Sequence, residues 1–323
     1  MRIVITGNGY QQDITEYVQS TTWSGDYRQC ARTLELEVVH HAAAQAVRAE
    51  LGNRITLWND TGSVLFEGYI FRREKNTGGA TMSLFCFDRG IYLNRNEAVY
   101  KYTNRTAAEI TRTVCADFGI EVGTLPEEAV TISRNFLGCT LYNIIQTCWN
   151  LTGNATGKSY LIRFDGDRLN VLDDAGSIPL IIAAGTNMME LNVSESIENM
   201  VNRVNIYNKE DMLLRSVGND DLTALYGLMQ AYLKQNDDED VTDEANKLLE
   251  EGGVTQRITV ENLGNETLIT GQSVILEEPM SGLYGRFWIE TDVHTWKLGQ
   301  YYNKLTLNFR RMVDDVKAGE EVE

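Results

Sequence analysis

Apolar and polar residues alternate with a strand period at both ends of the chain and with a helical period in its middle. Ile55 and Leu57, then Val64 and Phe66, alternate with polar residues around Asn59-Asp60-Thr61-Gly62, which predicts a hairpin by period and by turn chemistry. Met82-Ser-Leu84-Phe85-Cys86-Phe87 follows a second turn at Gly78-Gly79. Leu34-Glu-Leu36-Glu-Val38 alternates cleanly, so its glutamates are expected on one exposed face. Together these segments predict a small antiparallel sheet or barrel.

Past about residue 95 the period changes. Thr106-Ala-Ala-Glu109 has capping-box spacing, and Ile110, Val114 and Phe118 supply an apolar stripe that stops at Gly119. A second helix is expected from Thr140, carrying Leu141, Ile144, Ile145, Cys148 and Trp149 and ending by Gly153. Tyr160-Leu-Ile-Arg-Phe164 and Arg168-Leu-Asn-Val-Leu172 flank Asp165-Gly166, a strong short-range hairpin signal. Two helices and a hairpin predict a compact α+β unit. Strand signals return at residues 190–193, 201–207, 258–260, 273–276, 287–289 and 304–309. They are interrupted by a polar, helix-prone segment at 220–253, where Thr242 is placed to cap a helix carrying Ala245, Leu248 and Leu249 and ending at Gly252. Gly319-Glu-Glu-Val-Glu323 reads as a frayed acidic tail.

Two distant stretches repeat one order of features. Ile55-Thr-Leu57, Leu65-Phe66-Glu67-Gly68-Tyr69-Ile70 and Met82-Ser-Leu84-Phe85-Cys86-Phe87-Asp88-Arg89 form the first set. Val274-Ile-Leu276, Leu283-Tyr284-Gly285-Arg286-Phe287-Trp288-Ile289 and Leu305-Thr-Leu307-Asn308-Phe309-Arg310 form the second. Each is an apolar strand, a Leu-aromatic-Gly turn into an aromatic strand, and an alternating strand closing on Arg. A duplicated ring-forming module would let a trimer present six quasi-equivalent modules and so match a sixfold object on one side and a threefold object on the other.

Composition narrows the function. With 323 residues and 43% hydrophobic content the chain can bury a substantial core, and length alone suggests two or three domains. The formal charge of −17 disfavours nucleic-acid and anionic-membrane partners, and inside a channel it would keep a passing chain from sticking. No stretch approaches the roughly 20 apolar residues of a membrane span. Met1-Arg-Ile-Val-Ile-Thr6 is too short for a secretory signal, which predicts assembly in the cytosol. Cys30, Cys86, Cys115, Cys139 and Cys148 form no C-x-x-C pair and read as small apolar residues in a reducing compartment.

No motif carries chemistry. Gly7-Asn8-Gly9 follows an apolar strand, but Gln12 stands where a dinucleotide fingerprint needs its third glycine, so a hairpin turn is expected. His40 and His41 would point to opposite faces of a strand and cannot share a metal, and His294 has no ligand-spaced neighbour. Asn236-Asp-Asp-Glu-Asp240 resembles a calcium loop superficially, yet Val241 and Lys247 occupy the glycine and bidentate-glutamate positions. Asp165/Asp167 and Asp173/Asp174 flank a hairpin and are explained by turn chemistry, while a glycosidase pair would need a fixed separation across a cleft. Trp23, Trp58, Trp149, Trp288 and Trp296 suit core positions or sugar-stacking platforms. Catalytic, cofactor-binding and metal residues are therefore all expected to be none.

An ordered series of motifs resembles one family. Asp13-Ile-Thr-x-x-Val18, Trp23-Ser-Gly25, Ala31-x-x-Leu34, Leu65-Phe-x-Gly68-x-Ile70 and Cys86-x-Asp88-x-x-x-Tyr92-Leu93 open it. Ala108-Glu-Ile110 through Asp117-Phe-Gly119, and Thr140-Leu-Tyr-x-Ile-Ile145 through Thr156-Gly-Lys158, continue it. Met200-Val-Asn-Arg-Val204, Tyr226-Gly227, Gly264-Asn265, Gly271 and His294-Thr-Trp296 complete it. The chain is similar over nearly its whole length to XkdQ/YqbQ-type proteins of defective prophage tails, which in turn resemble the late control D protein and the contractile-tail baseplate hub.

The resemblance implies a mainly β fold with α+β insertions and two tube-like antiparallel β-barrel modules in one chain. It implies a non-enzymatic homotrimer of a phage, prophage or R-type bacteriocin tail, without cofactors. The neighbours it implies are the tail tube protein, the spike, the tape-measure protein end and a LysM-containing adaptor. On this plan residues 1–95 form the first module, 96–180 an α+β insert, 181–212 with 254–316 the second module, 213–253 a helical insertion and 317–323 the acidic tail. A tail-associated peptidoglycan hydrolase and a cell-wall binding module are the rival readings.

Overall fold

The computed structural model describes residues 1–40, 47–76, 78, 80–173, 179–236 and 240–322. The chain forms two compact units, Met1–Leu191 with Thr259–Glu323, and Asn192–Ile258.

The strand-period segments become β1 (Arg2–Gly7), β2 (Tyr10–Asp13), β3 (Val18–Asp26), β4 (Thr33–Val39), β5 (Arg54–Trp58), β6 (Val64–Asn76) and β7 (Thr81–Phe87). Leu34, Leu36 and Val38 turn inward and are buried, as the alternation requires. Gly7-Asn8-Gly9 is the turn between β1 and β2, with Gly7 opposite Tyr10.

The middle carries α1 (Gly90–Arg95), β8 (Glu97–Thr106), α2 (Ala107–Asp117), β9 (Glu121–Val122), β10 (Thr131–Thr140), α3 (Leu141–Thr156), β11 (Leu161–Asp165) and β12 (Arg168–Leu172). The Thr106 hydroxyl accepts from Glu109 N at 3.2 Å and the Glu109 carboxylate from Thr106 N at 3.0 Å, completing the predicted capping box. Thr140 likewise accepts from Asn143 N, but α3 runs past Gly153 to a left-handed Gly157. Gly153 does not stop the helix. It lets the helix pass the Lys158 carbonyl, which a Cβ would meet at 2.6 Å. Trp149, Ile110, Val114, Ile144, Ile145 and Phe136 share one core with the predicted β11–β12 hairpin.

The remaining elements are β13 (Leu180–Ala183), β14 (Met188–Ser196), β15 (Arg203–Tyr207), β16 (Leu213–Gly218), α4 (Asp220–Tyr226), β17 (Gln230–Lys234), α5 (Thr242–Glu251), β18 (Thr255–Leu263), β19 (Ser273–Glu278), β20 (Leu283–Lys297), β21 (Gln300–Asn308) and β22 (Glu320–Glu321). Residues 213–253 are thus not purely helical. β15, β16 and β17 form a three-stranded sheet, and α5 covers Val204 and Ile206 through Ala245. Thr242 does not cap α5 but opens it: its N and Oγ1 donate to Asp240, at 3.0 and 2.6 Å. Nor does the acidic tail fray, since β22 pairs with β10 and Arg134 donates to the carbonyls of Ala318 and Gly319.

The main sheet runs β14-β18-β21-β20-β3-β4-β7-β6-β5-β1-β2, with β13 beside β19 and β19 beside β20. The path is open, and no closed barrel is present among the described residues. The mainly β expectation holds. The first and last thirds of the chain are not separate sheets, because β20 pairs with β3 along residues 291–297.

Candidate functional site

The two echoing stretches fold as two antiparallel meanders, β5-β6-β7 and β19-β20-β21, with one register. Ile55 opposes Gly68 and Leu57 opposes Phe66; Val274 opposes Phe287 and Leu276 opposes Gly285. The shift between sets is a constant 219 residues through the first two strands (55 to 274, 68 to 287, 70 to 289). Ile70 opposes Cys86 and Ile289 opposes Leu307, and a bulge follows each, before Arg72 and before Thr291. Just ahead of each meander the chain makes the same clasp. Gly52 N donates to Ile70 O and Ile70 N to Asn53 O, while Gly271 N donates to Ile289 O and Ile289 N to Gln272 O. Gly52 and Gly271 both need a left-handed backbone, with φ of 82° and 84°. The register corrects one detail of the sequence echo: the Leu-aromatic pairs are one position out of step and the glycines that follow them two, whereas Ile70 and Ile289 are true counterparts.

Where β20 meets β3, polar side chains converge in the core. Arg32 and Asp292 form a buried bidentate ion pair, with Arg32 Nη1 to Asp292 Oδ1 at 3.0 Å. Asp292 Oδ1 also accepts from Thr270 N at 2.6 Å and from Thr270 Oγ1 at 2.7 Å. The guanidinium lies 4.1 Å from the Trp23 ring centre, and a Cβ on Gly25 would strike it, so that position is kept bare. His294 Nε2 stands 3.2 Å from Asp292, while its Nδ1 meets Tyr301 Oη and Asn303 Nδ2 at 2.8 and 2.7 Å. Burial pushes the Asp292 carboxyl upward, but Arg32 and then His294 outweigh it and hold the group well below the usual carboxylate range. Nearby Asp88 accepts from the backbone N–H groups of Arg32 and Gly90, and burial raises it to about 7.

Residues of this joint, including Trp23, Arg32 and Asp88, line a cavity of about 670 Å³ together with Arg163, Asp165, Leu180 and Glu266. Two of its carboxylates, Asp88 and Asp165, lie close enough for the charge on Asp165 to push the Asp88 carboxyl further up, and each also has structural partners. Asp165 pairs with Arg163 at 3.1 Å, and the neighbouring Asp167 lies 3.5 Å from Arg54 and 3.4 Å from Arg89.

The other candidates also take structural places. His40 N donates to Ala80 O at the end of β4, whereas His41 lies outside the described residues. Asp174 and residues 237–239 of the acidic run also lie outside them. Trp23 and Trp149 are buried, the latter donating to Thr111 Oγ1 at 3.0 Å, and Trp296 stacks on Tyr301. Burial pushes the Cys115 and Cys148 thiols up to about 12, which suits core packing and not nucleophilic attack. Among the described residues no group of three or more His, Cys, Asp or Glu is placed to hold a metal ion, and no helix is long and apolar enough to cross a membrane. Sequence reading missed Arg32, Asp292 and Thr270. Arg32 and Asp292 are 260 residues apart, and the only signal in reach was the echo, carried one strand further to β3.

Comparison with known proteins places this architecture. The chain is 24% identical over 296 residues to the phage-like element PBSX protein XkdQ of Bacillus subtilis (strain 168), covering 86% of this chain and 88% of XkdQ. Its fold is similar to that of the prophage MuSo2 43 kDa tail protein from Shewanella oneidensis, with a TM-score of 0.69 at 14% identity over 98% of this chain and 99% of that one. It is also similar to the E. coli c3393 protein, a type VI secretion component, with a TM-score of 0.57 at 11% identity over 100% of this chain and 80% of that one. The model of the YQBQ-like family matches residues 21–308, and the chain belongs to that family.

Proposed function

We propose that the chain is a structural subunit of the baseplate hub of a contractile phage-type tail, and not an enzyme. The observation that carries this reading is the repeated meander, with equal register, equal bulge and equal glycine clasp. A chain bearing the same module twice gives a trimer six similar modules, enough to meet a sixfold tail tube on one face and a threefold spike on the other. In that assembly residues 1–95 supply one tube-like module and strands from residues 181–212 and 254–316 the second, the barrel closing only when copies join. Residues 96–180 and 213–253 are the insertions between them. The E. coli c3393 protein supports the reading, being described as structurally similar to the T4 bacteriophage tail proteins gp27 and gp5.

The partners on this reading are two further copies, the tail tube protein, the spike, the end of the tape-measure protein and a LysM-containing adaptor. The particle would be a phage, a prophage tail or an R-type bacteriocin. Electron microscopy of the chain mixed with tube and spike proteins tests it, and threefold rings between tube and spike are the expected result. A stable monomer with no ring under those conditions would overturn it. So would clearing of purified cell wall in zymography that is lost on changing one Asp or Glu.

A further inference from the structure

The main sheet repeats a four-strand order, β14-β18-β21-β20 followed by β3-β4-β7-β6. Inside the chain the two runs are joined by residues 291–297 of β20 pairing antiparallel with residues 20–26 of β3. This pairing starts directly after the bulge at Glu290, whose carbonyl accepts from Tyr27 N at 3.0 Å. By the 219-residue shift, the counterpart of that segment begins at Arg72, directly after the matching bulge at Phe71. Residues 72–76 pair with β7 on one side, and among the described residues no strand lies on the other. The counterpart of β3 is β14, which has β18 on one side and, among the described residues, no strand on the other. The repeat thus leaves one end of each kind unpaired.

We propose that residues 72–76 of β6 in one copy pair antiparallel with β14 of a second copy, repeating between chains the joint that β20 and β3 make within one. Charge favours this match over any other between the two edges. The β6 edge exposes Arg72, Arg73 and Lys75 with only Glu74 among them, although the chain as a whole carries −17. Exposed Glu190 and Glu195 stand on β14, with exposed Glu198 just beyond it. Two β6 edges repel and two β14 edges repel, so only the unlike pair attracts. The bulge is no obstacle, since its counterpart at Glu290 precedes a paired segment. The resulting contact is head-to-tail, the kind that closes a ring when the rotation per copy allows it.

This assignment rests on the ring reading and adds the edges that make the ring. Its test uses the full chain with cysteines on both edges, Glu74→Cys combined in turn with Val193→Cys, Ser194→Cys or Glu195→Cys. Oxidation is expected to give covalent trimers in at least one combination, and none with either cysteine alone. In parallel, Arg72→Glu with Arg73→Glu and Lys75→Glu should weaken self-association about tenfold or more. Glu190→Lys with Glu195→Lys should do the same, and the two sets combined in one chain should restore it. Thermal unfolding of each variant checks that the chain still folds. Rings that form equally well in all the charge variants, with no cross-link in any combination, overturn the edge assignment and leave the ring reading standing. A chain that stays monomeric with tube and spike proteins present overturns both. Cross-linked open filaments uphold the edge assignment and overturn the closed ring.

Discussion

The two meanders have one backbone and opposite surroundings. β20 leaves its bulge and enters a joint sealed by Arg32, Asp292 and Thr270, whereas β6 leaves the matching bulge with Arg72, Arg73 and Lys75 exposed, Arg72 paired with Glu74 at 2.6 Å and Arg73 donating to the Ala49 carbonyl. Register, bulge and clasp survive in both copies, so they belong to the module. Among the described residues the ion pair and the basic edge occur once each, so they belong to what each copy of the module faces. A repeat can therefore be recognised by its hydrogen bonds even where its side chains have diverged.

Breaking the sealed joint is expected to have the largest effect. Arg32→Ala or Asp292→Ala leaves a buried charge without its partner and should cost about 3–5 kcal/mol in urea unfolding. A loss under about 1 kcal/mol would mean that the backbone ladder and apolar packing hold β20 against β3 without the ion pair.

The glycine clasps sharpen the comparison further. Gly52→Ala forces a left-handed alanine into open space and should cost about 1–2 kcal/mol. Gly271→Ala meets the same backbone strain and also the Leu161 side chain, so it should cost roughly 1 kcal/mol more. Equal losses would show that Leu161 moves aside freely.

The two buried aspartates should respond to pH in opposite senses. Asp88 holds its proton up to about pH 7 in the folded chain, while the unfolded chain releases it near pH 4. Its contribution is complete below about pH 4 and is lost as pH rises to about 7. Asp292 is shifted the other way, and its contribution is lost only as pH falls through its depressed folded range. Asp88→Asn should flatten the fall in urea midpoint between about pH 4 and 7, and an unchanged slope would show that Asp88 is ionised when folded.

The smallest effect is expected at the surface. Lys304 pairs with Glu261 at 2.9 Å, while the corresponding place in the first meander is Ser83 opposite Glu37. Lys304→Ser makes the second meander resemble the first and should cost less than about 1 kcal/mol by thermal unfolding.

Local elements were legible because each was specified within a few residues. The Thr106–Glu109 box, the Asp165-Gly166 turn and the alternation at 34–38 needed no distant partner. β8 was not read because Glu97–Thr106 leaves most of its residues in solvent, and β10 was not read because a polar Arg134 takes one of its three buried positions, between Ile132 and Phe136. β16 and β17 were hidden in a polar segment, and what makes them strands is β15, whose Val204 and Ile206 need neighbours on both sides. The echo was visible as residue types, but its register was set by the hydrogen bonds of Ile70 and Ile289, which no spacing reveals. Arg32 and Asp292 lay further out of reach, since neither has meaning until β3 and β20 lie side by side.

The segment at 314–321 places one constraint on the order of synthesis. Tyr142 donates to Asp314 Oδ2, Asn150 to the carbonyls of Asp314 and Val316, and Arg134 to those of Ala318 and Gly319. Thr147 Oγ1 accepts from Ala318 N across 171 residues of sequence. At a translation rate of about 5–20 residues per second, those groups wait roughly 10–30 s on the ribosome before their partners emerge. The middle region therefore stays incomplete until nearly the whole described chain exists, and a chain interrupted before residue 314 would leave Arg134 and Asn150 without the carbonyls that they bind here.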